Sequence, residues 1–301
     1  MHDGQLEIDA PLARMLIAAR FPEWADAAVL PVTGAGTVNR IFRVGETAAA
    51  RFPLLPESVE VLQAEAEALS AFAERSPVAA PRPLGIGQPD VRYPSAWAVQ
   101  TWVAGDVADP VSLQASDRFA DDLAALIRAL RAMPTGGRGF DGRGRGGVLA
   151  DHDDWVAHCI AQSSGLVDTT RVAALWRMLR EIAPAAELAM SHRDLTPPNL
   201  LVADGRLVGV LDGGAFGPAD PALDLVAAWH LLDADRRNRL RRGLGMSTAE
   251  WLLGAGWALQ QAMGLIWYYP ATNPPMAQLG RTTMARLLDD EELSGLAHSV
   301  S

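Results

Sequence analysis

Along the first hundred residues, apolar positions come in short runs broken by glycine and proline. "VTGAGTVNRIFRVG" (32–45) sets a glycine-rich turn before a β-branched and aromatic run, and Gly45-Glu46 marks the next turn. "AAARFPL" follows and ends its run at Pro53, so the two stretches predict antiparallel strands joined by a tight connection. Residues 57–75 change period: Val61, Leu62, Leu69 and Phe72 fall on one face at helical spacing. "SPVAAPRPLGIGQPD" reads as proline and glycine punctuation. "SAWAVQTWV" (95–103) is a further apolar strand, from which "AGD" (104–106) turns the chain away.

Beyond this point the helical period dominates. Residues 119–133 are amphipathic, with Asp121-Asp122 near the start, where carboxylates favour a helix N-terminus. "GGRGFDGRGRGG" (136–147) is a low-complexity loop, and helices follow around 155–162 and 171–182. Two short strands are expected around "NLLVADGRLVGVLD", with Asp204-Gly205 as a hairpin turn. The rest reads as helix. "WLLGAGWALQQAMGLIWYY" is nearly long enough to cross a bilayer, but Gln260 and Gln261 at its middle favour a buried helix. The expectation is an α+β chain of two lobes with a cleft between them. A small β-rich lobe would take residues 1–103 and a larger, mainly helical lobe residues 104–301.

Composition narrows the function classes. The 301 residues are 49% hydrophobic and 21% charged, enough for a substantial core. A formal charge of −10 argues against a nucleic-acid partner and is compatible with a cationic small substrate. The single cysteine, Cys159, allows neither an internal disulfide nor a cysteine-built metal site. The first residues, "MHDGQLEIDAPLARM", lack the apolar stretch of a signal peptide, so a cytoplasmic protein with no membrane association is expected. All 26 basic residues are arginine.

The chemistry concentrates in "SHRDLTPPNLLV" (191–202) and "GVLDGG" (209–214). If the strands of the expected hairpin pair, Asn199 and Asp212 lie at adjacent strand ends, where a carboxamide oxygen and a carboxylate make a partial site for a hard cation. Mg2+ accepts one or two protein oxygens and completes its shell with water and phosphate. Asp194, on the same loop as Asn199, could then take the proton of a hydroxyl attacking that phosphate. Pro197 and Pro198 restrict the loop and hold base and ligand at fixed separation. The plain alternative is that Asp194 and Asn199 only cap and turn a loop; "VLDGG" downstream weighs against it. "HRDLTPPN" fits the kinase catalytic-loop pattern H-R-D-L-x-x-x-N outright. Asp212-Gly213-Gly214 keeps the Asp and the last Gly of D-F-G but lacks the aromatic.

On "HRDLTPPNLLV", "GVLDGG" and "GPADPALDLVAAWHLL", the chain resembles the aminoglycoside phosphotransferase-like family, the small-molecule branch of the protein-kinase-like fold. The resemblance implies Asp194 as catalytic base and Asn199 and Asp212 as Mg2+ ligands. It also implies Asp224, with His192, as structural support of the catalytic loop. Spacing points the same way independently. Only twelve positions separate Asp212 from Asp224, too few for the activation segment that docks a peptide on a protein kinase. The acceptor is therefore expected to be a small molecule on the helical lobe.

On the nucleotide side, a kinase uses a strand lysine held by a helix glutamate. With no lysine in the chain, Arg51 is the basic residue placed for that task, and Glu65, on the inward face with Leu62 and Leu69, is its expected partner. Arginine is longer and planar, so the exchange is not neutral. Gly34 and Gly36 in "TGAGT" would cover the phosphates with backbone N–H groups. Backbone groups from Gln100 to Val103 would hold an adenine edge, with Trp102 either a stacking wall or part of the core.

Other features have plainer readings. The Arg/Gly loop superficially resembles an RNA-binding segment, but carries only Arg138, Arg143 and Arg145 and no aromatic ladder. "DHDDW" with His158 reads as helix capping and a solvated acidic face rather than a metal cluster. Asp233, Asp235 and residues 289–292 read the same way, but remain candidates for attracting amino groups of an acceptor. The leading expectation is a kinase using ATP or GTP on a hydroxyl of an amino-bearing antibiotic. A metabolic kinase of an amino alcohol or sugar is the alternative, and a non-catalytic nucleotide-binding protein a third.

Overall fold

The first helix, α1 (Ala10–Arg20), starts where Asp9 accepts the Leu12 N–H at 2.9 Å; hydrophobic periodicity had assigned no element there. The structure is a computed structural model that describes residues 5–32, 38–142 and 144–298. After α1 come β1 (Val29–Pro31), β2 (Asn39–Val44) and β3 (Ala48–Pro53), then α2 (Val59–Arg75), β4 (Pro83–Gly87) and β5 (Trp97–Thr101). These strands form one antiparallel sheet in the order β1-β2-β3-β5-β4. The expected hairpin is β2 with β3, in register Val44↔Ala48 and Ile41↔Arg51. Gly45 turns the chain between them at φ 56°, a conformation open to glycine.

The core of this unit is aromatic. Phe52 stacks on Trp97 at 4.8 Å between centroids, and Phe42 meets Phe52 edge-on at 5.7 Å. Burial of such rings on both sides of β3 explains why that central strand tolerates three consecutive alanines. Residues 83–87, expected to be punctuation, are instead an edge strand. Pro83 is its first residue, and an edge position does not require every N–H to pair. Its glycine content reflects close approach: a Cβ at Gly87 would lie 1.9 Å from Cε2 of the buried Trp97 indole. We expect Gly87→Ala to destabilise the fold by about 1–3 kcal/mol through overpacking. Urea unfolding should show a lower midpoint at an unchanged slope.

The remaining elements are β6 (Asp106–Val107), α3 (Pro110–Leu113), α4 (Asp117–Arg131), α5 (Asp153–Gln162) and α6 (Thr169–Leu179). They continue with β7 (Ala189–Ser191), β8 (Leu200–Ala203), β9 (Arg206–Val210), β10 (Gly217–Ala219) and α7 (Val226–Leu231). The chain finishes with α8 (Ala234–Leu244), α9 (Thr248–Tyr268), α10 (Pro274–Leu288) and α11 (Glu291–His298). Contacts divide the molecule into two units: Met1–Gly105 with Gly209–Phe216, and Asp106–Val208 with Gly217–Ser301.

The second unit is a helical assembly with two small sheets. Phe119, Leu123, Leu126, Ile127 and Leu130 are fully buried along α4, which gives that helix the one-sided apolar face its sequence predicts. The apolar stretch at 251–269 lies in α9, most of whose residues are buried. No helix among the described residues is long and apolar enough to cross a membrane. β8 and β9 turn through Asp204 (φ 51°) and Gly205 (φ 71°), the paired left-handed conformation of a tight hairpin.

Candidate active site

Two short strands anchor the candidate catalytic loop. β7 pairs with β10 in register Ser191↔Gly217, fixing the chain on entry to residues 192–199. Beneath it lies Asp224, 1% exposed, which accepts the Ser191 hydroxyl at 2.9 Å and the His192 and Arg193 N–H groups at 3.2 Å each. Burial pushes the Asp224 carboxyl up from the usual carboxylate range, while the His192 charge and these hydrogen bonds oppose the rise. His192 itself is fully buried. The loop needs such bracing because Arg193 takes a left-handed φ of 68°, a strained value for a long side chain. Arg193 Nη1 pairs with Asp141 at 2.9 Å, Nη2 donates to Pro218 O at 2.9 Å, and the guanidinium lies 5.0 Å from the Phe140 ring centre.

The prolines have a specific role. Pro197–Asn199 form one turn of 3-10 helix, and proline suits its first positions because those N–H groups need no partner. The turn carries the Asn199 carboxamide back to Asp194: Nδ2 donates to Asp194 O at 2.9 Å and to Oδ2 at 3.0 Å. With its amine used in this way, Asn199 Oδ1 accepts no hydrogen bond among the described residues and can serve a hard cation. Asp194 Oδ1 receives Arg145 Nη1, which also donates to Gln261 Oε1 at 2.7 Å.

In the other unit, Arg51 points from the centre of β3 and is 14% exposed. Its expected partner was Glu65, but Arg51 Nη2 bonds Asp212 Oδ1 at 2.8 Å instead. Backbone packing explains the choice. Asp212 is left-handed (φ 60°, ψ 39°), and the glycines after it let the turn close on α2. A Cβ at Gly213 would meet Phe72 at 2.8 Å, and one at Gly214 would meet Glu65 Cβ at 3.3 Å. Phe216, two residues past Asp212-Gly213-Gly214, places its ring 5.4 Å from that of Phe72 on α2. Glu65 lines a small, open pocket with Arg51, Leu62, Leu69, Gln100 and Gly214. Burial raises the Glu65 carboxyl above its ordinary range, Arg51 pulls it down and Asp212 pushes it further up.

The expected adenine-edge segment is narrower than the sequence implies. Gln100 pairs with Ala49 and Pro83 on the two sides of β5, so its backbone is no free edge, and it also lines the pocket. The Trp102 N–H donates to Thr47 O at 2.7 Å, and the Arg43 guanidinium lies 5.0 Å from its ring centre. Val103 makes no backbone hydrogen bond among the described residues and keeps its groups available. Gly34 and Gly36 lie outside the described residues.

Three of the acidic candidates for amine recognition, Asp233, Asp290 and Glu292, are engaged elsewhere, whereas Asp235 is 89% exposed. Asp233 caps α8 through Arg236 N at 3.0 Å, Asp290 pairs with Arg237 at 2.9 Å, and Glu292 with Arg241 at 2.6 Å. In "DHDDW", Asp153 accepts Trp176 Nε1 at 2.9 Å and Arg180 Nε at 2.8 Å.

A family model described as the phosphotransferase enzyme family matches residues 30–263. The chain belongs to the phosphotransferase enzyme family. Within curated proteins, this family member is 30% identical over 162 residues to an aminoglycoside 3'-phosphotransferase of Escherichia coli, covering 48% of this chain and 55% of the relative. The chain thus spans about half the length of the curated relatives it matches. Among solved structures, the GDP and kanamycin complex of APH(2")-IIia aligns with a TM-score of 0.69 at 18% identity, covering 94% of this chain and 98% of that one. A macrolide 2'-phosphotransferase from Brachybacterium faecium aligns with a TM-score of 0.62 at 16% identity, covering 91% and 98%. These likenesses establish the protein-kinase-like fold for this phosphotransferase-family chain. Two contacts at the site were not expected from the sequence. Phe216, two residues past the motif in which an aromatic was sought, packs on Phe72. Arg145, named there only as one of three arginines in an Arg/Gly loop, bonds Asp194 and Gln261.

Proposed function

We propose that this chain transfers the γ-phosphoryl group of ATP, or of GTP, to a hydroxyl of a small molecule in the cytoplasm. An amino-bearing antibiotic of the aminoglycoside kind is the first acceptor to consider, since the named relatives carry that activity in their names. The observation that carries the reading is the Asn199 carboxamide bound through its amine to Asp194, which leaves one carboxylate beside one unengaged amide oxygen. Asp194 accepts the hydroxyl proton as the acceptor oxygen bonds to the γ-phosphorus and the bond to the leaving nucleoside diphosphate breaks. The donor set suits Mg2+: Asn199 Oδ1 and Asp212 Oδ2 are hard oxygens with no hydrogen-bond donor among the described residues. When bound, Mg2+ would offset the charge of the phosphates. Arg51 supplies a fixed positive charge to the nucleotide, and Asp224 with His192 keeps the loop in shape.

A second reading, a kinase of a neutral hydroxylated metabolite, draws support from the arginine pairing of Asp233, Asp290 and Glu292, which assigns those carboxylates to the fold rather than to an amine. The test is a panel of amino-bearing and neutral hydroxyl compounds incubated with Mg2+ and either ATP or GTP, with phosphorylated products read by mass spectrometry. Products confined to amino-bearing compounds support the first reading, and products confined to neutral ones the second. No product from either set would defeat both.

Arg51→Lys tests the nucleotide side. Lysine is a compact point charge without the planar fork. We expect kcat/KM for the nucleotide to fall by roughly tenfold, the loss of about one charge-assisted hydrogen bond. Steady-state kinetics with varied nucleotide would check it, and a rise would mean that the arginine is a defect rather than a tuned group.

A further inference from the structure

The loop at 136–147 is fastened to the catalytic loop at two points. Near its middle, Asp141 pairs with Arg193 at 2.9 Å and Phe140 lies under the same guanidinium. Close to its end, Arg145 bonds Asp194 and Gln261 through one nitrogen, Nη1. The manner of that contact is informative. Some arginines of this chain bond a carboxylate through a single nitrogen, as Arg237 Nη2 does Asp290 at 2.9 Å, and others lay the Nε–Nη2 fork along both oxygens. Arg206 holds Asp122 that way at 2.6 and 2.7 Å, and Arg239 holds Asp121 at 2.7 Å twice. Arg145 instead reaches Asp194 end-on. Its Nε and Nη2 have no hydrogen-bond partner among the described residues, and its side chain is 43% exposed.

An end-on guanidinium with an open fork beside a carboxylate is a built receptor for a second anion, because two parallel N–H donors match two oxygens of a phosphoryl group. We infer that Arg145 is a catalytic residue that binds the transferring phosphoryl group at Asp194; this rests on the phosphotransferase reading above. Asp194 and Gln261 hold the guanidinium in orientation, while its Nε–Nη2 edge takes two phosphoryl oxygens. Arg145 makes and breaks no covalent bond: the acceptor oxygen bonds to phosphorus, the nucleoside diphosphate leaves, and the proton goes to Asp194. A carboxylate oxygen has more than one acceptor direction, so Arg145 on Oδ1 and Asn199 on Oδ2 still leave room for the hydroxyl.

The experiment compares wild type, Arg145→Ala and Arg145→Lys in turnover and in binding. Turnover uses an acceptor from the panel. Binding uses ADP with Mg2+, alone and with aluminium fluoride, a mimic of the phosphoryl group in flight. For Arg145→Ala we expect kcat to fall about 10²–10³-fold, as for loss of one donor to developing negative charge. The acceptor KM and the affinity for ADP alone should not change, and the aluminium fluoride complex should weaken. Arg145→Lys should recover part of kcat, and guanidinium ion added to Arg145→Ala should restore some of it. Unchanged or increased kcat would overturn the inference, since a contact that only blocks the base gives that result. A loss confined to acceptor KM would overturn it as well, by making Arg145 an acceptor-recognition group. Failure of the underlying reading would look different: the wild type itself would neither phosphorylate any acceptor nor bind ADP.

Discussion

Asp194→Asn is expected to lower the rate of phosphoryl transfer by about 10²–10⁴-fold, the usual range for loss of a positioned general base. The substitution preserves shape, so packing should survive. It removes one acceptor oxygen from a site where two donors converge, Asn199 Nδ2 on Oδ2 and Arg145 Nη1 on Oδ1. The new amide can accept from only one of them and must turn its own N–H groups toward the other. That local conflict is confined to a side chain 28% exposed, where water can relieve it. Nucleotide affinity should therefore stay within a few-fold of wild type, measured by titration calorimetry alongside single-turnover kinetics. A variant that lost nucleotide binding as fully as transfer would point to a structural role for Asp194.

Asp212→Asn should impair binding and transfer together. Asparagine is the informative replacement because it tolerates the left-handed backbone at φ 60° that alanine would strain. The change leaves the turn intact and removes the charge. Two effects then add. The proposed cation site loses its carboxylate, and Arg51, 14% exposed, loses the anion at 2.8 Å that holds it. Loss of a partner is costly for a guanidinium so enclosed, although the 42% exposure of Asp212 screens part of the attraction. We expect nucleotide affinity to fall about tenfold and transfer about 10²-fold or more. A Mg2+ titration should show a raised half-saturating concentration. Unaltered Mg2+ dependence would remove Asp212 from the cation site.

The motif "HRDLTPPN" was legible because its geometry is short-range: a two-proline turn fixes how an amide five positions on reaches back to a carboxylate. The β2–β3 and β8–β9 hairpins were legible for a similar reason, since turn residues and alternation are local signals. Arg51 is assigned to the nucleotide by elimination, and the partner expected for it, Glu65, is not the residue that bonds it. The pairing with Asp212 depends on how closely a glycine turn packs against α2, and no periodicity encodes that approach. The same holds for β4, in which glycines admit the flat faces of aromatic rings and thereby look like loop. Arg145 was visible as one of the arginines of the Arg/Gly loop, but its contacts were not, because they span 49 residues to Asp194 and 116 to Gln261. The acidic residues considered for amine recognition read as free charges in sequence. For Asp233, Asp290 and Glu292 the partner in space is an arginine supplied by the fold.

The most direct test of the account follows labelled γ-phosphate in a single turnover, with wild type and Asp194→Asn side by side, on the best acceptor from the panel. The account predicts that label moves to the acceptor hydroxyl in the wild type, while Asp194→Asn binds nucleotide and leaves the label on it. Transfer at equal rates in both proteins, or label retained on nucleotide by the wild type with every acceptor, would contradict it.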